Sequence, residues 1–198
     1  GAEDPIELLF GTSPDGKYFA MRRGTPTVAE IDYGTYSRVP VAPFSWRDSI
    51  LWPFSIVDLA ELRIERPGEH PLDLTYDFIS EKWTAQLRGE DVTRRLNVQR
   101  ANILANKLEE LRVARWLGPE AREAALRLEH PALIIDAAYR ATDKDGNPAG
   151  TRHSVITLAP ASLSPRNQLY FGRLSGSLDY FLIDKASYGQ IDVRLLED

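Results

Sequence analysis

The chain has 198 residues, 43% of them hydrophobic and 27% charged, which places it among ordinary globular sequences and excludes the disordered and fibrous classes. A chain of this size can bury about 70% of its surface without a disulfide or metal staple, so one domain or two small ones are expected. The net charge is −5, with Lys and Arg interspersed among Asp and Glu, so nucleic acid is not an expected partner. Cysteine is absent, which excludes thiol catalysis and thiolate metal sites. The longest apolar candidate, Ile50 to Val57, is broken by Pro53 and is too short to span a bilayer. The chain opens on Gly1 with no charged or apolar leader before its first strand-like segment. It is therefore expected to be an excised piece, from which any leader or anchor has been removed.

The dominant feature is an internal likeness. Lys17 to Val39 lies without a gap over Leu169 to Ile191 at a constant offset, and Tyr18/Tyr170, Phe19/Phe171, Gly24/Gly176, Ile31/Ile183, Asp32/Asp184 and Tyr36/Tyr188 coincide. Each copy is predicted to be an aromatic strand, a tight turn on its Gly, a second strand ending in Ile-Asp, and a short helical turn carrying Tyr. Asp32 and Asp184 are expected to cap those turns rather than to act together as a carboxylate pair.

Next comes a proline-bracketed connector, Pro40 to Pro53, holding Phe44, Trp46, Trp52 and, just beyond it, Phe54. These aromatics pack between units or form a recognition surface, and they are the candidate interaction residues. Leu62 to Glu65, Leu72 to Tyr76 and Lys82 to Leu87 alternate as three meander strands. Arg88, Arg94, Arg95 and Arg100 follow, interrupted by Glu90 and Asp91, and are read as a solvated helix start. Ala101, Leu104, Leu108 and Leu111 then predict an amphipathic helix from Asn97, its cap, to about Arg112. Gly118-Pro119 with Glu120 and Glu123 opens a second helix that stops before His130-Pro131. Strands are expected over Leu133 to Arg140 and Thr151 to Leu158, joined by the polar loop Asp143 to Gly150, before the final hairpin from Gln168 to Asp184. The predicted class is α+β, with antiparallel sheets and helices packed on one face, built from a repeated strand-rich unit. Residues 1–52 are expected to be the C-terminal part of a preceding repeat plus connector, and 53–198 one complete repeat.

The order Ile64-Glu65-Arg66-Pro67, a strand with Trp83, a helix with Leu104, Leu108 and Leu111, then Leu128, Pro131, Tyr170-Phe171 and Phe181-Leu182-Ile183-Asp184 resembles the bacterial domain-of-unknown-function family 4340. The resemblance runs from about Ser55 to Asp198. It departs from the family where Arg127-Leu128 stands in place of a Gly-Leu pair, and Arg47-Asp48 resembles an Arg-Asp that follows the family's hairpin. The resemblance implies an extracytoplasmic domain, held to the cytoplasmic membrane by an N-terminal anchor absent from this chain, with an ABC-type transport complex of the gliding-motility kind as protein partner. It brings no catalytic residues and no cofactor.

The chain's own chemistry-bearing residues point to structure. His70, His130 and His153 are too scattered for a metal site, and two of them sit in His-Pro turns. Ser175 and Ser177 lack the outer glycines of a nucleophile elbow, and Gly11 with Gly16-Lys17 is followed by Tyr18 where a P-loop needs Ser or Thr. Asp143, Asp145 and Asn147 have the rhythm of a calcium loop but not its Gly or its Glu. The expected function is therefore a non-enzymatic scaffold or binding domain. The alternatives are a wall- or polysaccharide-directed hydrolase or lyase using carboxylates such as Glu65, Asp73 and Asp77, or a carbohydrate-binding module presenting Trp46 and Trp52.

Overall fold

The computed structural model describes residues 6–39, 47–52, 54–143, 145–162 and 169–197. The chain divides into two compact units, Gly1–Trp46 and Arg47–Asp198.

In the first unit, Leu8–Thr12 (β1), Tyr18–Arg22 (β2) and Val28–Ile31 (β3) form an antiparallel sheet in that order. Gly16 and Gly24, with φ of +81° and +84°, take the left-handed turn positions that close the two hairpins. Asp32 ends the third strand and caps Tyr33–Ser37 (α1): Thr35 N donates to Asp32 Oδ1 at 2.9 Å and Thr35 Oγ1 to Oδ2 at 2.6 Å. The Tyr18 ring packs on Tyr36 with centroids 4.6 Å apart. No described residue of this unit is buried, and Leu8, Phe10 and Val28 are exposed.

The second unit is built on nine strands. Leu59–Glu65 (β4), Leu72–Asp77 (β5), Lys82–Leu87 (β6) and Glu90–Asp91 (β7) form a meander. Val98–Glu109 (α2) follows, then Arg115–Gly118 (β8) and Arg122–Arg127 (α3). Leu133–Thr142 (β9), Pro148–Pro160 (β10), Leu169–Leu174 (β11), Tyr180–Asp184 (β12) and Lys185–Ile191 (α4) complete the unit. The sheet order is β7-β6-β5-β4-β9-β10-β11-β12-β8, with every pairing antiparallel.

Helix α2 forms where its cap was expected, with Arg100 N donating to Asn97 Oδ1 at 2.9 Å. Its face of Ala101, Leu104, Ala105 and Leu108 is buried against Leu62, Ile64, Leu74 and Trp83 of the meander. Trp83 carries one polar group, and its Nε1 donates to Asn102 Oδ1 of the helix at 2.7 Å, so the ring is buried without an orphaned donor. Helix α4 contributes Tyr188 and Ile191 to the same core.

Two features depart from the sequence expectation. The third helix does not share a face with α2 and α4: Ala124 packs with Phe171 and Leu182, a directly opposed pair, whereas their neighbours Phe181 and Ile183 belong to the main core. Side chains alternate along a strand, so α3 covers the opposite face. The sequence also gave no sign of β8, a four-residue edge strand fixed by pairing to β12 and by Trp116 lying edge-on to Phe181 at 5.6 Å.

The β11–β12 hairpin repeats the construction of β2–β3 pair for pair. Tyr18 faces Ile31 and Tyr170 faces Ile183; Met21 faces Val28 and Arg173 faces Tyr180. Thr25 N and Ser177 N each donate at 3.1 Å across the turn, to Arg22 O and Leu174 O, around Gly24 and Gly176. Asp184 caps α4 as Asp32 caps α1, accepting from Ser187 N at 2.7 Å, and Tyr170 stacks on Tyr188 at 3.6 Å. Surroundings differ: Phe181, Ile183 and Tyr188 are buried, whereas their counterparts Ala29, Ile31 and Tyr36 are not.

At Gly172 the hairpin leaves no room. A Cβ there would overlap the Phe181 ring and lie 2.9 Å from Leu158 Cδ2. Gly172→Ala is expected to cost about 1–3 kcal/mol in urea unfolding, against about 0.5 or less for Gly11→Ala, where a Cβ meets nothing within 4 Å. In hydrogen exchange, amides of β2 and β3 are expected to exchange well before those of β9 and β10, because no buried apolar layer shields them.

Candidate functional site

The connector aromatics were the first candidates. Trp52 and Phe54 are 3% and 8% exposed, so they belong to the core and present no recognition surface, contrary to their selection as interaction residues. The cause is backbone pairing: Leu51 N donates to Leu111 O and Val113 N to Ser49 O, which draws the segment onto the end of α2. There Phe54 stacks on Tyr139 at 4.7 Å and meets Trp52 edge-on at 5.3 Å. Phe44 and Trp46 lie outside the described residues. Arg47 pairs with Asp179 and stands over the Trp116 ring at 4.8 Å, while Asp48 Oδ1 accepts from Ile50 N; both are structural.

The carboxylates considered for hydrolysis have separate local tasks. Glu65 and Asp73 both accept from Arg63, at 2.7 and 3.1 Å, on the outer face of β4 and β5. Asp77 accepts from Ile79 N and Ser80 Oγ in a turn, and the Ser80 hydroxyl holds its carboxyl below the ordinary range. A general acid needs the opposite shift. Asp143 is likewise spent on Asp145 N and Asn147 N of its loop, and no metal-binding cluster occurs among the described residues. Ser175 Oγ accepts from Val155 N at 2.9 Å, and His153 sits 3.1 Å from Asp136 on the exposed sheet surface.

A large concavity among the described residues lies elsewhere, at the end of the sheet where the β4–β5 turn, the β6–β7 turn, the start of α2 and the last described residues meet. It is an open groove of about 940 Å³. Arg66, Arg88, Arg95, Arg100 and Arg194 line it, against Glu69 and Glu197, with the half-buried Leu87 and Leu196 beside them. The sequence showed Arg88, Arg95 and Arg100 as a solvated helix start. It gave no sign that Arg66 and Arg194 would join them, because only the long-range strand pairings bring those segments together.

Each wall is fixed by hydrogen bonds. Pro67-Gly68 turns the chain out of β4, and Arg66, only 12% exposed at its side chain, donates to Asp192 Oδ1 at 2.7 Å and Val193 O at 2.9 Å. The C-terminal segment crosses the start of α2: Asn97 N donates to Leu195 O and Glu197 N to Arg95 O, both at 2.8 Å. Arg95 Nε and Arg100 Nη1 each hold a carbonyl of this segment, on Glu197 and Arg194, at 3.1 Å. Arg194 forks onto both oxygens of Glu69, and that guanidinium holds the Glu69 carboxyl below its usual range. Behind Arg66, burial first and then the Asp192 charge push the Tyr188 phenol well above its ordinary value.

Comparison with known proteins identifies the chain's kinship. Residues 2–131 match the family model described as Domain of unknown function (DUF4340). The chain belongs to this family. The match takes in the first unit and ends at the His130-Pro131 turn, so it lies toward the N-terminus of the span expected from the motifs, Ser55 to Asp198. Tyr170-Phe171 and Phe181 to Asp184 fall beyond it. No curated protein and no solved structure matches the chain.

The Tyr188 environment sets an alkaline limit. Its phenol stays protonated in the folded state above the ordinary value of 10.0, so the unfolded chain binds fewer protons there and stability falls as pH rises through that value. Asp192→Asn removes one of the causes and is expected to lower the Tyr188 titration, read as a shift toward lower pH in tyrosinate absorbance.

Proposed function

We propose that this chain is a non-enzymatic extracytoplasmic scaffold or binding domain of a membrane-anchored accessory protein that works with an ABC-type transport complex. In this reading residues 1–52 are the C-terminal part of a preceding repeat plus connector, and 53–198 are one complete repeat. No described helix is long and apolar enough to cross a membrane.

The observation that carries the reading is the uncovered first unit. Its hairpin and capped turn match β11, β12 and α4 in register, but within the second unit the main core covers one face of β11 and β12 and α3 covers the other. A three-stranded sheet with Leu8, Phe10 and Val28 exposed is a scaffold made to be covered by another polypeptide surface. The family resemblance supplies the transport complex as the setting. The carboxylates that a hydrolase would use are engaged separately, by Arg63 and by the turn after Asp77, which gives that alternative no support.

The test is co-purification of the genomically encoded protein from gently solubilised membranes, with quantitative mass spectrometry. ABC-transporter subunits are expected to be enriched over a control in which residues 1–198 are deleted. Equal recovery in both samples overturns the association.

A further inference from the structure

We propose that the arginine-lined groove of the second unit binds an acidic peptide segment of a partner protein, one that alternates carboxylate and apolar side chains. The proposal deepens the binding-domain reading by naming the surface and the chemistry that it takes.

Charge is the first argument. Five arginines stand against Glu69, Glu197 and the Asp192 that pairs with Arg66, a formal surplus of two positive charges on a chain whose net charge is −5. Two of the five are neutralised, Arg66 by Asp192 and Arg194 by Glu69. Among the described residues Arg88, Arg95 and Arg100 pair with no carboxylate. A guanidinium offers five donors, and Arg95 and Arg100 each place one on a backbone carbonyl of the C-terminal segment, so most of their donors remain for an anion.

Backbone conformation is the second. Arg88 and Gly89 form the two-residue turn between β6 and β7, both at positive φ, +55° and +80°. Such a turn favours Asn or Asp before its Gly, because a long side chain in the left-handed region carries a steric cost. Only Glu81 shares this conformation among the described non-glycine residues. A strained position occupied by an exposed, unpaired arginine at the rim of a groove is the kind of cost retained where the side chain has a task.

Shape and polarity choose among anions. A volume of about 940 Å³ exceeds what one phosphate or acetate fills and suits several residues of extended chain. The lining includes the half-buried Leu87 and Leu196, which a peptide's apolar side chains can meet and a uniformly polar glycan cannot. Arg194 and Glu69 already show the pairing within the groove, a guanidinium forking onto a carboxylate.

The test uses the 198-residue chain and a fluorescein-labelled peptide of four Glu-Leu repeats, followed by anisotropy, with Lys-Leu and Gln-Leu peptides as comparators. Binding of the Glu-Leu peptide is expected to exceed that of both comparators and to weaken with salt, because exposed charges are screened. Arg88→Glu is expected to weaken it about tenfold or more, whereas Arg115→Glu, on the far edge strand, leaves it unchanged. Among the described residues the Arg88 side chain bonds to nothing that supports the fold, so the variant should keep the parent's melting temperature and far-ultraviolet spectrum, which separates lost binding from lost structure. Equal binding of the Lys-Leu peptide, or an Arg88→Glu variant that binds like the parent, overturns the proposal. So does a result in which inorganic phosphate or polygalacturonate binds in an Arg88-dependent way while the Glu-Leu peptide does not. Failure here with transporter subunits still co-purifying overturns the groove alone; binding here without co-purification overturns only the transport association.

Discussion

The pairing of β4 with β9 is the constraint on which the second unit depends. Leu62 faces Ala137 and Ile64 faces Ile135 across a long sequence separation, and this single ladder joins the N-terminal meander to the C-terminal hairpins. Without it there are two separate sheets, and the core on which α2 packs is divided between them. With it, Leu62, Ile64, Ile135 and Ala137 form the apolar floor on which Leu104 and Leu108 sit. The ladder also places the turn after β4 beside the chain's last residues. Arg66 at that turn reaches Asp192 and Val193, and the groove exists because both are held there. A fold that closes through so non-local a contact pays its loop entropy before the core repays it.

The reach of the sequence follows the range of the signals. Where the determinant is local it was legible: the alternation of Lys82 to Leu87, the Asn97 cap, the three-to-four spacing of Leu104 and Leu108, and the Gly-centred turns with their Asp caps all stand in the structure as expected. Edge strand β8 was not legible because Arg115 to Gly118 carries no period of its own. Its conformation is imposed by β12 and by the Trp116 ring. The side taken by α3 was not legible either, since its one buried residue, Ala124, would suit either face of the sheet. Trp52 and Phe54 misled for a related reason: the connector sequence lacks regular periodicity, and the bonds that bury those rings run from Leu51 and Val113 to partners far along the chain.

The site shows the same division. Arg88, Arg95 and Arg100 are close enough in sequence to be noticed together, but a run of arginines broken by Glu90 and Asp91 reads as a solvated surface. What turns them into one wall of a groove is the C-terminal segment laid across the start of α2, with Glu197 N on Arg95 O and Asn97 N on Leu195 O. These are backbone bonds, which no side-chain pattern announces. Arg66 was visible as part of the Glu65-Arg66-Pro67 motif, yet its partner Asp192 follows α4 at the opposite end of the unit.

A physical line connects the hairpin to the groove. Tyr170 stacks flat on Tyr188, the Tyr188 phenol is held neutral beside Asp192, and Asp192 fixes Arg66 at the groove wall. The order of strength matters. Arg66 is nearly buried, so its pairing with Asp192 is little screened, and a buried guanidinium left without that carboxylate would be costly. The hairpin is thus more than an edge of the sheet, since its stacked Tyr188 stands beside Asp192, the carboxylate that holds the most buried arginine of the groove wall.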